Sequence, residues 1–247
     1  MITTVGDGLH LLNDAYVNCY LVEDETGLTL VDTGLPALWP QLVQALEELG
    51  HTVSDISAVV LTHAHFDHLG CAARLRQETS APIWAHPGDH YIAAHPYRYQ
   101  HEKPRLLYPF RYPRSIRILG AMTRAGALRV RGVGGLQELQ PGAELAVPGR
   151  PRVVFTPGHT AGHCALFLPD RHTVITGDAL VTLDPYTGFT GPQIVARAAT
   201  ANSAQALTSL DALAATGART VLPGHGEPWR DGIEAAVAHA RAHHTNE

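Results

Sequence analysis

The sequence predicts an α/β fold, an αββα sandwich in which two β-sheets pack face to face and helices flank both outer surfaces. Three observations predict it. Short apolar and β-branched runs come in two batches, one in the first third of the chain and one after residue 150, and each batch is followed by helical spacing. The runs are bounded by glycine, proline and Asp/Thr turn signals, which suit many short strands rather than a helical bundle. Hydrophobic residues make up 45% and charged residues 17% of 247 positions, enough to bury a proper core, with no apolar run of membrane-spanning length.

Residues 8–12 (GLHLL), 17–23 (VNCYLVE) and 27–34 (GLTLVDTG) read as strands in quick succession, separated by turns such as DETG. Residues 36–49 place Leu38, Leu42, Leu46 and Leu49 at helical intervals and run into Gly50, a natural end cap. A buried strand over 57–63 (SAVVLTH), a helix over about 69–79 and a short strand over 82–86 (PIWAH) follow. In the second batch, 152–159, 163–169 and 172–178 are short apolar strands with glycine or proline at their ends. The alanine-rich stretch 198–215 predicts a helix, 219–225 a last buried strand, and 232–244 a closing helix. No internal repeat or low-complexity tract interrupts the series, so the chain, 1–247, reads as one domain.

One segment departs from this pattern. Residues 96–131 hold nine of the eighteen basic residues and a single acid, Glu102, so the segment carries +8 while the remainder carries −13. It also holds Tyr97, Tyr99, Tyr108, Phe110 and Tyr112. It reads as an insertion, either a basic aromatic lid whose Arg105, Arg111 and Arg114 meet an anionic substrate, or a surface answering the acidic remainder within the monomer or across a homodimer. The overall charge of −5 argues against a nucleic-acid partner. The N-terminus lacks the basic start and apolar stretch of a signal peptide, which predicts a cytoplasmic protein with no membrane partner. Cys19, Cys71 and Cys164 are odd in number and form no CxxC pair, so they are expected as small buried hydrophobes rather than a disulfide or thiolate metal site.

The chemistry lies in the histidines, of which there are sixteen. The densest group is Thr62-His63-Ala64-His65-Phe66-Asp67-His68-Leu69-Gly70, delivered by the apolar run 58–61. If the strand continues, side chains two apart aim His63 and His65 at one point, with Asp67 and His68 in the turn that follows. Three further candidates share one grammar: an apolar run, a glycine, then a metal-binding side chain. These are Gly158-His159, Gly177-Asp178 and Gly224-His225. Ligands on the ends of rigid strands make a preorganised site. His163 reads as a structural neighbour, His86, His90, His95 and His101 lie around the insertion, and His239, His243 and His244 form a surface helix face.

The series HxHxDH, GHTxGH, GDxL and PGHG resembles that of the metallo-β-lactamase superfamily, and Asp32 in LVDTG matches its early structural motif. The resemblance runs from about Val17 to Trp229. It implies the metallo-β-lactamase fold, with His63, His65 and His159 on one metal, Asp67, His68 and His225 on a second, and Asp178 bridging them. It also implies two divalent ions about 3.5–4 Å apart, zinc first with iron or manganese as alternatives, sharing a hydroxide that attacks a substrate carbonyl. Asp67 would orient that hydroxide or carry a proton, and Asp32 would hydrogen-bond a ligand histidine or its loop. The expected function is hydrolysis of a small ester, lactone or thioester, the glyoxalase II and lactonase branch.

Three alternatives stand beside it: an iron persulfide dioxygenase using the first site alone, a nuclease, and a β-lactam hydrolase. Class B β-lactamases generally lack the bridging aspartate found here as Asp178. Lactonases typically place a tyrosine three residues after it, where this chain has Val181, with Tyr186 the nearest replacement.

Overall fold

A computed structural model describes residues 2–244. Its first sheet has seven strands in sequence order: β1 (Thr3–Gly6), β2 (Leu9–Asp14), β3 (Val17–Asp24), β4 (Gly27–Val31), β5 (Ile56–Val60), β6 (Ile83–Ala85) and β7 (Gln137–Glu138). The first four pair antiparallel and the last four parallel. Then come β8 (Arg152–Phe155), β9 (Cys164–Leu168), β10 (Thr173–Gly177), the two-stranded ribbon β11 (Val181–Leu183) and β12 (Thr190–Gln193), and β13 (Thr220–Pro223). The second sheet runs β13-β10-β9-β8. The helices are α1 (Trp39–Glu48), α2 (Ala72–Glu78), α3 (His90–Ala94), α4 (Tyr108–Arg111), α5 (Arg114–Arg124), α6 (Ser203–Ala214) and α7 (Ile233–His244).

Alternation along the strands sorts the core into three layers, because successive side chains point to opposite faces. In β3, Tyr20 and Val22 face the second sheet, whereas Val17, Cys19 and Leu21 face α1, α2 and α5. In β9, Cys164, Leu166 and Leu168 face the first sheet while Ala165 and Phe167 meet α6 and α7. That is the αββα sandwich the sequence predicts. The three cysteines are free and buried, and no helix is long and apolar enough to cross a membrane among the described residues.

Boundaries differ where local chemistry intervenes. The helix expected over 198–215 begins only at Ser203, because the Asn202 side chain accepts a hydrogen bond from Gln205 N (3.0 Å) and caps it there. The helix expected over 69–79 forms over Ala72–Glu78. The segment 96–131 contributes α4 and α5, and Ile118 and Met122 of α5 bury against the outer face of the first sheet.

At one end the two sheets are stitched together. Asn18 N donates to Gly224 O (2.8 Å), and Tyr20 OH donates to Pro223 O (2.7 Å). Cys164 N donates to Thr62 O (2.8 Å). The loops after β5, β8, β10 and β13 therefore meet at this end.

Candidate metal centre

The loop after β5 carries His63, His65, Asp67 and His68. Strand β5 ends at Val60, so strand alternation does not aim the first two histidines, contrary to the expectation of an extended chain through His65. Two buried carboxylates shape the loop instead. Asp32, held at φ 58° just past β4, accepts from Thr62 N (2.8 Å), Thr62 Oγ1 (2.8 Å) and His68 Nδ1 (3.0 Å). Asp89 accepts from Ala64 N (3.0 Å), Thr160 Oγ1 (2.7 Å) and Gly162 N (2.8 Å). It ties the loop between His63 and His65 to the loop that follows His159.

The outer nitrogens of four of the five imidazoles are spoken for. His225 Nδ1 donates to Tyr16 O (2.7 Å). The Thr62 hydroxyl proton goes to Asp32, so His63 Nδ1 donates to Thr62 Oγ1 (3.1 Å). Thr200 Oγ1 donates to Val195 O (2.7 Å), leaving it to accept from His159 Nδ1 (3.4 Å). With Nδ1 of His63, His68, His159 and His225 turned outward as donors, it is Nε2 of each that faces inward, the atom a metal would take in place of any proton there.

All seven sequence candidates converge there, and Asp67, the most open, is only 7% exposed. The ligand-capable atoms group as His63–His65–His159, His63–His68–Asp178 and Asp67–His68–His225, within 4.8 Å of one another in each. Asp178 lies between the halves. Its Oδ2 is 3.4 Å from His159 Nε2 and 3.3 Å from His225 Nε2, and its Oδ1 is 3.5 Å from His68 Nε2. Asp67 Oδ2 lies 3.4 Å from His225 Nε2.

The Nε2 atoms of His63, His65, His68 and His159 and Oδ1 of Asp178 are buried with no hydrogen-bond partner. Buried polar atoms are seldom left so, and these are ligand atoms converging on common points, so the residues fit divalent cations. Charge divides the site. Burial, reinforced by neighbouring imidazoles, drives His63 well below the ordinary histidine range. It drives His65 well below too, and His159 to about 3 with Asp178 opposing, so all three stay neutral. His68 is pushed to about 9, because Asp178 and Asp32 outweigh the burial that would lower it. Burial would raise Asp178, yet His225 and His68 hold it well below the usual carboxylate range. Positive charge is thus wanted beside Asp67 and Asp178, as protons or as metal.

The glycines before His159 and Asp178 have φ of 134° and 49°, which an L side chain resists. Gly224 is needed for space, since a Cβ there would overlap Asp178 Oδ1. His163 is a support, as expected: its Nε2 accepts from Asp178 N (3.0 Å) and its Nδ1 bonds Thr156 Oγ1 (2.8 Å). His86, His90, His95 and His101 each bond nearby backbone. His239 is exposed and donates to Pro192 O (2.8 Å), while the side chain of His244 lies outside the described residues.

The segment 96–131 reaches the centre through Tyr99. The Tyr99 ring lies 4.0 Å from that of His65, with the Arg105 guanidinium 4.0 Å above Tyr99. A small cavity over the centre is lined by Asp67, Asp178, His225, Tyr99, Met122 and Tyr186, among others. Arg111 lines a separate groove of 380 Å³ with Lys103 and Arg197. Val181 is buried behind this cavity, packed against Val195 and Ala199, which line it.

Sequence reasoning missed Asp89, which sits in a Pro-Gly-Asp triplet indistinguishable from an ordinary turn. Asp89→Asn is expected to destabilise the fold by about 1–3 kcal/mol, because an amide NH₂ must face a backbone N–H of Ala64 or Gly162. Urea unfolding of the variant checks this, and an unchanged midpoint would refute the clamp.

The sequence pattern of the metallo-beta-lactamase superfamily matches residues 12–225. The N-acyl homoserine lactonase of Bacillus thuringiensis is 27% identical over 191 residues, covering 67% of this chain and 62% of the lactonase. The hydroxyacylglutathione hydrolase GloC of Haemophilus influenzae is 28% identical over 165 residues, 66% of each chain. Among solved structures, TTHA1623 in a di-iron-bound form superposes with a TM-score of 0.65 at 26% identity, over 91% of this chain and 95% of that one.

Proposed function

The chain belongs to the metallo-beta-lactamase superfamily, and from that premise we propose that it is a dinuclear hydrolase of a carboxylic ester, lactone or thioester. The observation that carries the reading is the position of Asp178, within 3.3–3.5 Å of imidazoles from both halves of the site. His63, His65 and His159 would hold one ion, Asp67, His68 and His225 the other, with Asp178 placed to serve both. When bound, the ions supply a water activated near neutral pH and a Lewis acid for the carbonyl oxygen. Zinc suits these N/O donors, and the di-iron form of TTHA1623 keeps iron beside it.

The residues around the centre divide the remaining work. Asp67, steadied by His225, orients the attacking water and takes its proton. Tyr186 lines the cavity over the centre beside Tyr99, and its hydroxyl offers a proton to the departing oxygen or sulfur. Burial pushes that hydroxyl up to about 12, so it stays protonated at neutral pH and acts as a donor. A bridging carboxylate, together with the lactonase and GloC relatives, favours ester and thioester chemistry over β-lactam opening.

Metal analysis of purified protein with a panel of lactones, thioesters, β-lactams and phosphodiesters tests the reading. Two ions per chain and turnover of esters or thioesters are expected, and β-lactams turned over far faster than any ester would overturn the ordering. Tyr186→Phe is expected to lower kcat by about 10²-fold with the metal count intact. An unchanged kcat would remove Tyr186 from proton transfer.

A further inference from the structure

Beside the small cavity over the metal centre lies a second of 210 Å³, which touches His65 and His159. Tyr91, Ile92, Tyr99, Ala161 and Ala201 give it apolar walls, and Arg98 and Gln100 of the lid supply its polar side. No acid lines it. Tyr99 and His65 border both cavities, and the chamber itself reaches His65 and His159, so it adjoins the place where a substrate carbonyl would sit. The space equals about seven water molecules at ~30 Å³ each, which suits a short chain of a few carbons and a terminal group.

We propose that this chamber is a subsite for a substrate arm ending in a carboxylate, held by the Arg98 guanidinium with the Gln100 amide beside it. Arg98 pairs with no carboxylate among the described residues, whereas Arg197 is 3.4 Å from Glu102 and Arg241 and Arg150 are paired with Asp211 and Glu144. Of the arginines in 96–131, Arg98 alone lines the chamber, so it is Arg98 that meets the arm. A guanidinium takes both carboxylate oxygens through parallel N–H groups, and the aliphatic stem of the arm packs on Tyr99 and Ile92. The substrate class is then a short dicarboxylic acid half-ester or half-thioester, which deepens the hydrolase reading above and rests on it for the reaction but not for the binding.

Calorimetry on the metal-loaded protein tests the binding, using glutarate against butyrate. Each offers one carboxylate to the metals, and only glutarate offers a second. Wild type is expected to bind glutarate at least tenfold more tightly, with the preference lost in Arg98→Ala and partly kept in Arg98→Lys. Equal affinities in wild type, or a preference that survives Arg98→Ala, would overturn the subsite. Glutaryl and valeryl thioesters of one thiol supply the second arm of the test. A tenfold kcat/KM preference for glutaryl that collapses through KM in Arg98→Ala supports the subsite. Turnover of both without preference overturns it. An intact glutarate preference without turnover of either thioester would retain the subsite and sink the hydrolase reading instead.

Discussion

Asp178→Ala is expected to reduce turnover by at least about 10³-fold and to leave fewer than two metal ions per chain. Among the described residues its carboxylate is the only one within 3.5 Å of His68, His159 and His225 together. Without it, neither group of ligands shares an anchor with the other, and the negative charge that draws a cation to both is gone. Asp178→Asn keeps the shape and one acceptor oxygen, so it should recover some metal but little rate. Metal content by elemental analysis, read beside kcat, separates loss of the ions from loss of their arrangement. Full occupancy with undiminished turnover in Asp178→Ala would end the two-metal mechanism.

Removing metal from the wild type is expected to abolish activity and to lower the melting temperature by about 5–10 °C. A ligand at a hundredfold excess over its dissociation constant stabilises by about 2.7 kcal/mol, and each kcal/mol moves a chain of this size by roughly 2–4 °C. The five buried ligand atoms that lack protein partners give the effect its structural basis. Calorimetric melts with and without chelator, followed by metal add-back, check it. A melt indifferent to chelator would mean that the cluster holds no ion in solution.

The sandwich was legible because its strands carry near-continuous apolar runs such as SAVVL and CALFL, the signature of strands buried on both faces. Strand β1 went unread because Val5 is the sole buried side chain in TTVG, and the β11–β12 ribbon because three- and four-residue strands, one with Pro192, leave no periodicity. The metal-centre candidates were legible for a different reason: glycine followed by His or Asp after an apolar run marks a strand end that delivers a side chain. What aims them was hidden. Asp89 acts across 73 residues on Gly162, and Asp32 across 30 on Thr62, and no local pattern records such distant hydrogen bonds. Tyr186 lines the cavity over the centre from the ribbon loop, while Val181, three residues after Asp178, packs behind it.

The stitched end of the sandwich makes the centre a shared possession of two half-proteins. His63, His65, Asp67 and His68 follow a strand of the first sheet, while His159, Asp178 and His225 follow strands of the second. Neither half carries any of the three ligand-capable groups complete, since they need His159, Asp178 and His225 from the second sheet beside the histidines of the first. An ion held there acts as a clasp: whatever free energy it gains on binding is also free energy holding the sheets face to face. Cleaving the chain in the exposed stretch around Gly134 and Gly135 would leave two fragments whose reunion depends on metal concentration.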